Sequence, residues 1–211
     1  LGSVTGMVLL AKPLLGIIER YTLPSMYFFI GAVAGGIPLI FRQSGVRSFS
    51  FRIPLYIVLG AAAVLLLSFL PSSSSSAQME PGIGSFLLLA LSGFIAAVAL
   101  ILPGISVSYL LLLMGLYNET MRAVSTLYIP FLLPLAIGLV LGILLTTKLL
   151  ETAMKTHPQP TYLLILGFIL GSIATIFPGI PTGWDILFCL LTFCAGFGAI
   201  YFLSCAEGKN A

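Results

Sequence analysis

The chain has 211 residues, of which 59% are hydrophobic and 7% charged, with a net charge of +3 and a mean hydropathy of +1.17. No soluble domain of this size can hide that much apolar surface, so the composition excludes a soluble enzyme or binding module and points to a polytopic helical membrane protein. The apolar runs are continuous rather than alternating, which speaks against a transmembrane barrel, and the few charges are spread out, with no footing for nucleic acid.

In chain order, apolar runs fall at 1–18, 23–41, 53–70, 84–116, 125–150, 161–177 and 184–204; a spanning helix needs about 20 such residues. The first run has no basic start and is followed by further runs, unlike a cleavable signal peptide. RQSGVRSFSFR (42–52) is a polar basic connector, and PSSSSSAQMEPG (71–82) is a serine-rich loop without Lys or Arg. NETMRA (118–123) and ETAMKTHPQP (151–160) read as short polar connectors. Cys189, Cys194 and Cys205 cluster near the last run at spacings that suit no thiolate metal site, and His157 stands alone in a polar loop.

The run 84–116 departs from the others. As one helix it would reach about 50 Å, against a hydrocarbon core of about 30 Å, yet it is too short for two full spans. At its centre is LPGIS (102–106), where Pro103 removes a backbone donor and Gly104 frees the chain to turn. The pattern predicts two half-helices, 85–102 and 105–116. They form either a re-entrant hairpin, entering and leaving on one side, or one broken span. Short cytoplasmic loops carry more Lys and Arg. With 42–52 cytoplasmic, re-entry puts Arg42, Arg47, Arg52, Lys155 and Lys209 inside and Arg20 and Arg122 outside, whereas a broken span moves Lys155 and Lys209 outside and Arg122 inside. The first division is the more uneven and favours re-entry.

An internal repeat points the same way. Placing 1–41 on 137–177, at a constant offset of 136, gives twelve identities in 41 positions. They include Gly2/Gly138, Gly6/Gly142, Lys12/Lys148, Pro24/Pro160, Gly31/Gly167 and Gly35/Gly171. Each copy carries Gly-x-x-x-Gly steps, which let helices approach closely in lipid. With re-entry, three crossings separate the copies and the repeats are inverted, a recurring transporter architecture. The expected fold is therefore an all-α polytopic integral membrane protein with inverted repeats and re-entrant hairpins. It reads as a single transmembrane domain over 1–211: repeat A at 1–41, a connecting span at 53–70, the hairpin at 84–117, repeat B at 125–177 and a C-terminal span at 184–204. The offset places the partner of Pro103 about 33 positions before Leu1. A further interrupted hairpin, within at least about 40 upstream residues, is therefore expected.

In lipid, non-helical backbone survives only if it is buried in protein or lines a wet cavity. A helix beginning at Gly104, Ile105 and Ser106 would expose N–H groups that favour an anion, phosphate above all. Ser106 and Ser108 add hydroxyls, and Tyr109 and Tyr117 can add more. The alternative is that Pro103–Gly104 merely turns the chain and Ser106 caps the helix. Lys12 and Lys148 are ionisable groups within apolar runs, hence either functional or snorkelling to the interface. Glu119 and Arg122 follow the hairpin, as site residues or as a mutual surface pair.

The stretches SGFIAAVALILPGISVSYLLLLMGLY, YFFIGAVAGGIPLIF and LILGFILGSIATIFPG together resemble the polyprenyl-phosphate transporter family, a likeness that covers nearly the whole chain. Where family members usually carry glycine after the serine of the break, this chain has Val107. The resemblance implies a multi-pass protein of the cytoplasmic membrane, without cofactor or metal, that returns undecaprenyl phosphate to the inner leaflet for cell-envelope synthesis. Its implied partners are the polyprenyl phosphate lipid and the bilayer, with a homodimer as a candidate assembly and no nucleic acid. The second reading is an integral-membrane polyprenyl-pyrophosphate phosphatase, which uses a similar proline-glycine-x-serine turn. Here Ser106 and Ser108 match that turn, but Val107 stands in place of its arginine and no acid pair occurs at i, i+4. Phosphoryl transfer needs such charge stabilisation. No acidic ring or filter sequence suggests a channel.

Overall fold

The computed structural model describes residues 15–16, 18–45, 52–70 and 83–207; Lys12 lies outside them. Among the described residues there are eight numbered helices and no strand. They are α1 (Thr22–Gln43), α2 (Arg52–Phe69), α3 (Ile83–Ile101), α4 (Val107–Leu113), α5 (Tyr117–Thr126), α6 (Ile129–Thr156), α7 (Pro158–Ile176) and α8 (Asp185–Glu207). Five of these, α1, α3, α6, α7 and α8, are long and apolar enough to cross a membrane, and α2 carries a slightly shorter apolar stretch, Ile53–Phe69. Large apolar side chains point outward along them: Leu66 is 68% exposed, Leu149 71% and Phe202 75%. Such surface is stable only against lipid or another apolar partner.

Three expectations about the elements are corrected. The connector 118–123 is helical, within α5, where Thr120 and Ala123 are buried and Asn118 and Arg122 exposed. The connector 151–160 is largely helical too: α6 continues to Thr156, with a Glu151–Lys155 ion pair one turn apart on its surface, and α7 starts at Pro158. The second half-helix is shorter than the run 105–116, ending at Leu113 before Gly115 (φ 70°) turns the chain.

The helices divide between two compact units, 1–42 with 173–211 and 43–172. In the first, α1 packs on α8 through glycines. A Cβ placed on Gly31 would collide with the Phe193 carbonyl, and one on Gly35 would lie 2.6 Å from the Phe197 carbonyl oxygen. Since 31 meets 193 and 35 meets 197, the two helices run parallel. In the second unit α7 packs on α2 the same way. Gly167 meets the Ile57 carbonyl, and a Cβ on Gly171 would be 3.0 Å from that of Ala61, so this pair is also parallel.

The remaining helices of the second unit follow from two further contacts. Gly138 meets the Ala90 carbonyl and Gly142 meets Phe94 and Ala97, so α3 and α6 run parallel as well. The hydroxyl of Thr161 donates to the Ala153 carbonyl at 3.2 Å across the tight turn at His157, so α6 and α7 form an antiparallel hairpin. Because α3 and α6 point the same way, the chain must double back somewhere between 102 and 128. Small residues of α3 are buried, Ser92, Ala96, Ala97 and Ala99 all at most 4% exposed, and Ala97 meets Gly142 at the α3–α6 seam. Small side chains permit this close backbone approach.

Candidate functional site

The break lies at the start of the stretch 102–128 over which the chain doubles back. α3 ends at Ile101, and Gly104 takes φ 93°, a backbone conformation that side chains rarely adopt. Its position allows no Cβ either: one would lie 2.5 Å from the Phe168 carbonyl oxygen and 3.0 Å from Ser172 Cβ. The turn is thus seated on α7, on the residues immediately following Gly167 and Gly171. Ser172 is 8% exposed, and its hydroxyl donates to the Ile169 carbonyl at 2.8 Å.

Ser106 caps α4 from an extended conformation (φ −82°, ψ 121°), its Oγ accepting from the Tyr109 N–H at 3.3 Å. The capping reading is therefore realised. It does not consume the hydroxyl proton, since Ser106 is the acceptor in that bond. Ser106 and Ser108 are both exposed, while Pro103, Gly104, Ile105 and Tyr109 are half-buried. The Tyr109 hydroxyl is engaged elsewhere. It donates to the Ser68 and Leu70 carbonyls, each at 3.0 Å, tying the start of α4 to the C-terminal end of α2. Those carbonyls lie at a helix end, where no intrahelical donor reaches them.

The other candidates are not gathered at the break by any hydrogen bond or ion pair among the described residues. Glu119, half-buried, lies in the first turn of α5, and the exposed Arg122 is on the same helix; the two form no ion pair with each other. Lys148 is exposed on α6, two turns before its end. Sequence reasoning missed Phe168, Ser172, Ser68 and Leu70, because each acts through a contact distant in the chain. Gly167 and Gly171 were the available signal for the α7 platform.

Two clefts stand out. In the first unit, one of about 860 Å³ is lined by Arg20, Tyr21, Phe28 and Phe29 and, from α8, by Asp185 and Phe188. In the second, one of about 390 Å³ lies among α3, α6 and α7, with Leu102 and Phe168 at the break. Among the described residues no cluster of His, Cys, Asp or Glu could hold a metal ion.

The model of the VCA0040-like family, described as undecaprenyl phosphate translocase-like, matches residues 1–184. The chain belongs to this family. Among curated proteins, it is 28% identical over 191 residues to a polyprenyl-phosphate transporter of Staphylococcus aureus (strain NCTC 8325 / PS 47), covering 86% of this chain and 68% of that protein. It is 29% identical over 177 residues to a polyprenyl-phosphate transporter of Vibrio cholerae serotype O1 (strain ATCC 39315 / El Tor Inaba N16961), covering 84% of this chain and 54% of that protein. No solved structure matches. With its apolar helices, this family member is a multi-pass protein of the cell membrane.

Proposed function

We propose that this chain forms the greater part of a transporter that carries polyprenyl phosphate across the membrane, its phosphate received at the break around Gly104, Ile105 and Ser106. The observation that carries the reading is the interruption itself. A non-helical turn, flanked by the exposed hydroxyls of Ser106 and Ser108, is seated on glycine-packed α7 in a member of the undecaprenyl phosphate translocase-like family. Hydroxyl donors aimed at an anion in a low-dielectric setting bind it more strongly than they would in water. The isoprenoid chain stays in apolar surroundings. Glu119, Arg122, Lys148 and Lys12 remain candidates for contacts made when access changes sides.

The topology we propose is a re-entrant hairpin within inverted repeats. Support comes from helix direction. Within the second unit α3 and α6 run parallel, and α7 returns antiparallel to α6. α7 runs with α2, and α8 with α1. The parallel course of α3 and α6 fits a chain that leaves the membrane on the side it entered, and α4, only about 10 Å long, suits a short return. In this reading 42–52 is cytoplasmic, and both 71–82 and α5 are external.

We read the chain as a transporter without hydrolase activity, because the turn lacks the arginine and the acid pair that phosphoryl transfer would require. Transport is tested in liposomes holding this protein, or its full-length form, by following polyprenyl phosphate from one leaflet to the other. Ser106→Ala should lower substrate affinity roughly tenfold or more, the loss of one hydrogen bond to a charged group. Ser106→Thr keeps both hydroxyl and cap and should retain transport. Equal transport by wild type and Ser106→Ala removes Ser106 from the site. Phosphate release from undecaprenyl pyrophosphate, abolished by Ser106→Ala, would replace transport by hydrolysis.

A further inference from the structure

We infer that the cleft among α3, α6 and α7 is the seat of the substrate's isoprenoid chain, next to the phosphate; this rests on the transport reading above. The cleft follows from the distribution of glycine along α6. Gly138 and Gly142 hold α3 and α6 in backbone contact at the level of Ala90 to Ala97. Beyond Gly142, α6 presents the larger Leu145, Thr146, Leu149 and Leu150 instead. The gap of about 390 Å³ opens there, between Val98 and Leu102 on one side and Ile165 and Phe168 on the other.

Three observations fix the occupant. First, the cleft is continuous with the break: Leu102 is the residue before Pro103, and Phe168 supplies the carbonyl on which Gly104 rests. A group bound at Ser106 therefore has its apolar substituent within reach of the cleft. Second, the lining is branched and aromatic, with threonines as its polar members, and Thr161 turns its hydroxyl to the His157 carbonyl at 2.8 Å. It offers no charge and suits a hydrocarbon. Third, the chain belongs to a family described by its handling of undecaprenyl phosphate, a lipid branched by a methyl group in every isoprene unit. Such a chain is wider than a straight acyl chain and makes fuller contact in a broad cleft than in the grooves between close-packed helices. The cleft thus gives a structural basis for choosing a polyprenyl phosphate over the acyl phospholipids that surround it.

The test uses wild-type protein in nanodiscs and a diazirine-bearing polyprenyl phosphate. Photo-adducts that unlabelled polyprenyl phosphate suppresses should map to 94–102, 145–153 and 161–168. An alkyl phosphate of equal carbon count should compete roughly tenfold less well. Val98→Trp and Ile165→Trp, which fill the cleft, should lower affinity for the polyprenyl phosphate roughly tenfold while leaving that for a single-isoprene phosphate unchanged. Leu144→Trp, exposed on α6 and outside the cleft, should alter neither. Suppressible adducts confined to other helices, or equal competition by the straight chain, overturn the assignment while leaving transport standing. Labelling that polyprenyl phosphate does not suppress anywhere removes both.

Discussion

The two glycine-packed helix pairs, α1 with α8 and α7 with α2, are built from different residues by one rule. Every close contact in the first has its counterpart in the second at an offset of 136. Gly31 on Phe193 matches Gly167 on Ile57; Gly35 on Phe197 matches Gly171 on Ala61; Gly196 on Phe28 matches Gly60 on Leu164. Each pair thus joins one helix from the first half of the chain to one from the second. The pairs differ in what rests on them. On α7 the next face, Phe168 and Ser172, carries Gly104 and the break. The equivalent positions on α1 are Ala32 and Gly36, and among the described residues a Cβ on Gly36 would meet nothing nearer than Ile200 Cγ2 at 4.0 Å. The glycine-packed scaffold is therefore common to both pairs, and among the described residues the break is seated on α7.

That contrast can be broken most severely at Gly104. Gly104→Ala combines a left-handed φ, worth about 1–3 kcal/mol of strain, with a collision against the Phe168 carbonyl. It should abolish transport and lower the unfolding midpoint in detergent. A variant as active and stable as wild type would mean that the break is not held on α7. Smaller and matched effects are expected from Gly31→Ala and Gly167→Ala, at about 1–3 kcal/mol each, because both force parallel helices apart. Unequal losses would argue that the pairs are not equivalent scaffolds. Gly36→Ala, with open space ahead of it, should change stability least and sharpens the contrast with Gly104.

Much of this was legible without coordinates, and the failures have physical causes. The spans and the break could be read because lipid demands long apolar runs and Pro-Gly interrupts them. α5 was hidden because its ten residues make a helix that is polar on one face and too short for a spanning signal. The offset of 136 could be read over 1–41 because identities are dense there. Its extension to α2 and α8 is carried by sparse matches, such as Gly60/Gly196 and Ser68/Ser204, which gain meaning only once both glycines are seen bearing on equivalent backbone. The seat for Gly104 could not be read, since nothing local ties Gly104 to Phe168. The same holds for Tyr109, whose side chain resembled a free substrate donor but bonds to the end of α2.

The central claim is that the chain turns back within the membrane at 102–106. It is tested most directly by labelling single cysteines at Ser74 and at Arg122 in a background free of Cys189, Cys194 and Cys205. With an impermeant thiol reagent applied to intact cells, both positions should react from the outside, while a cysteine at Ser48 should react only after permeabilisation. Labelling of Ser74 and Arg122 from opposite sides would make 84–116 a broken full span, render the repeats parallel and contradict the account.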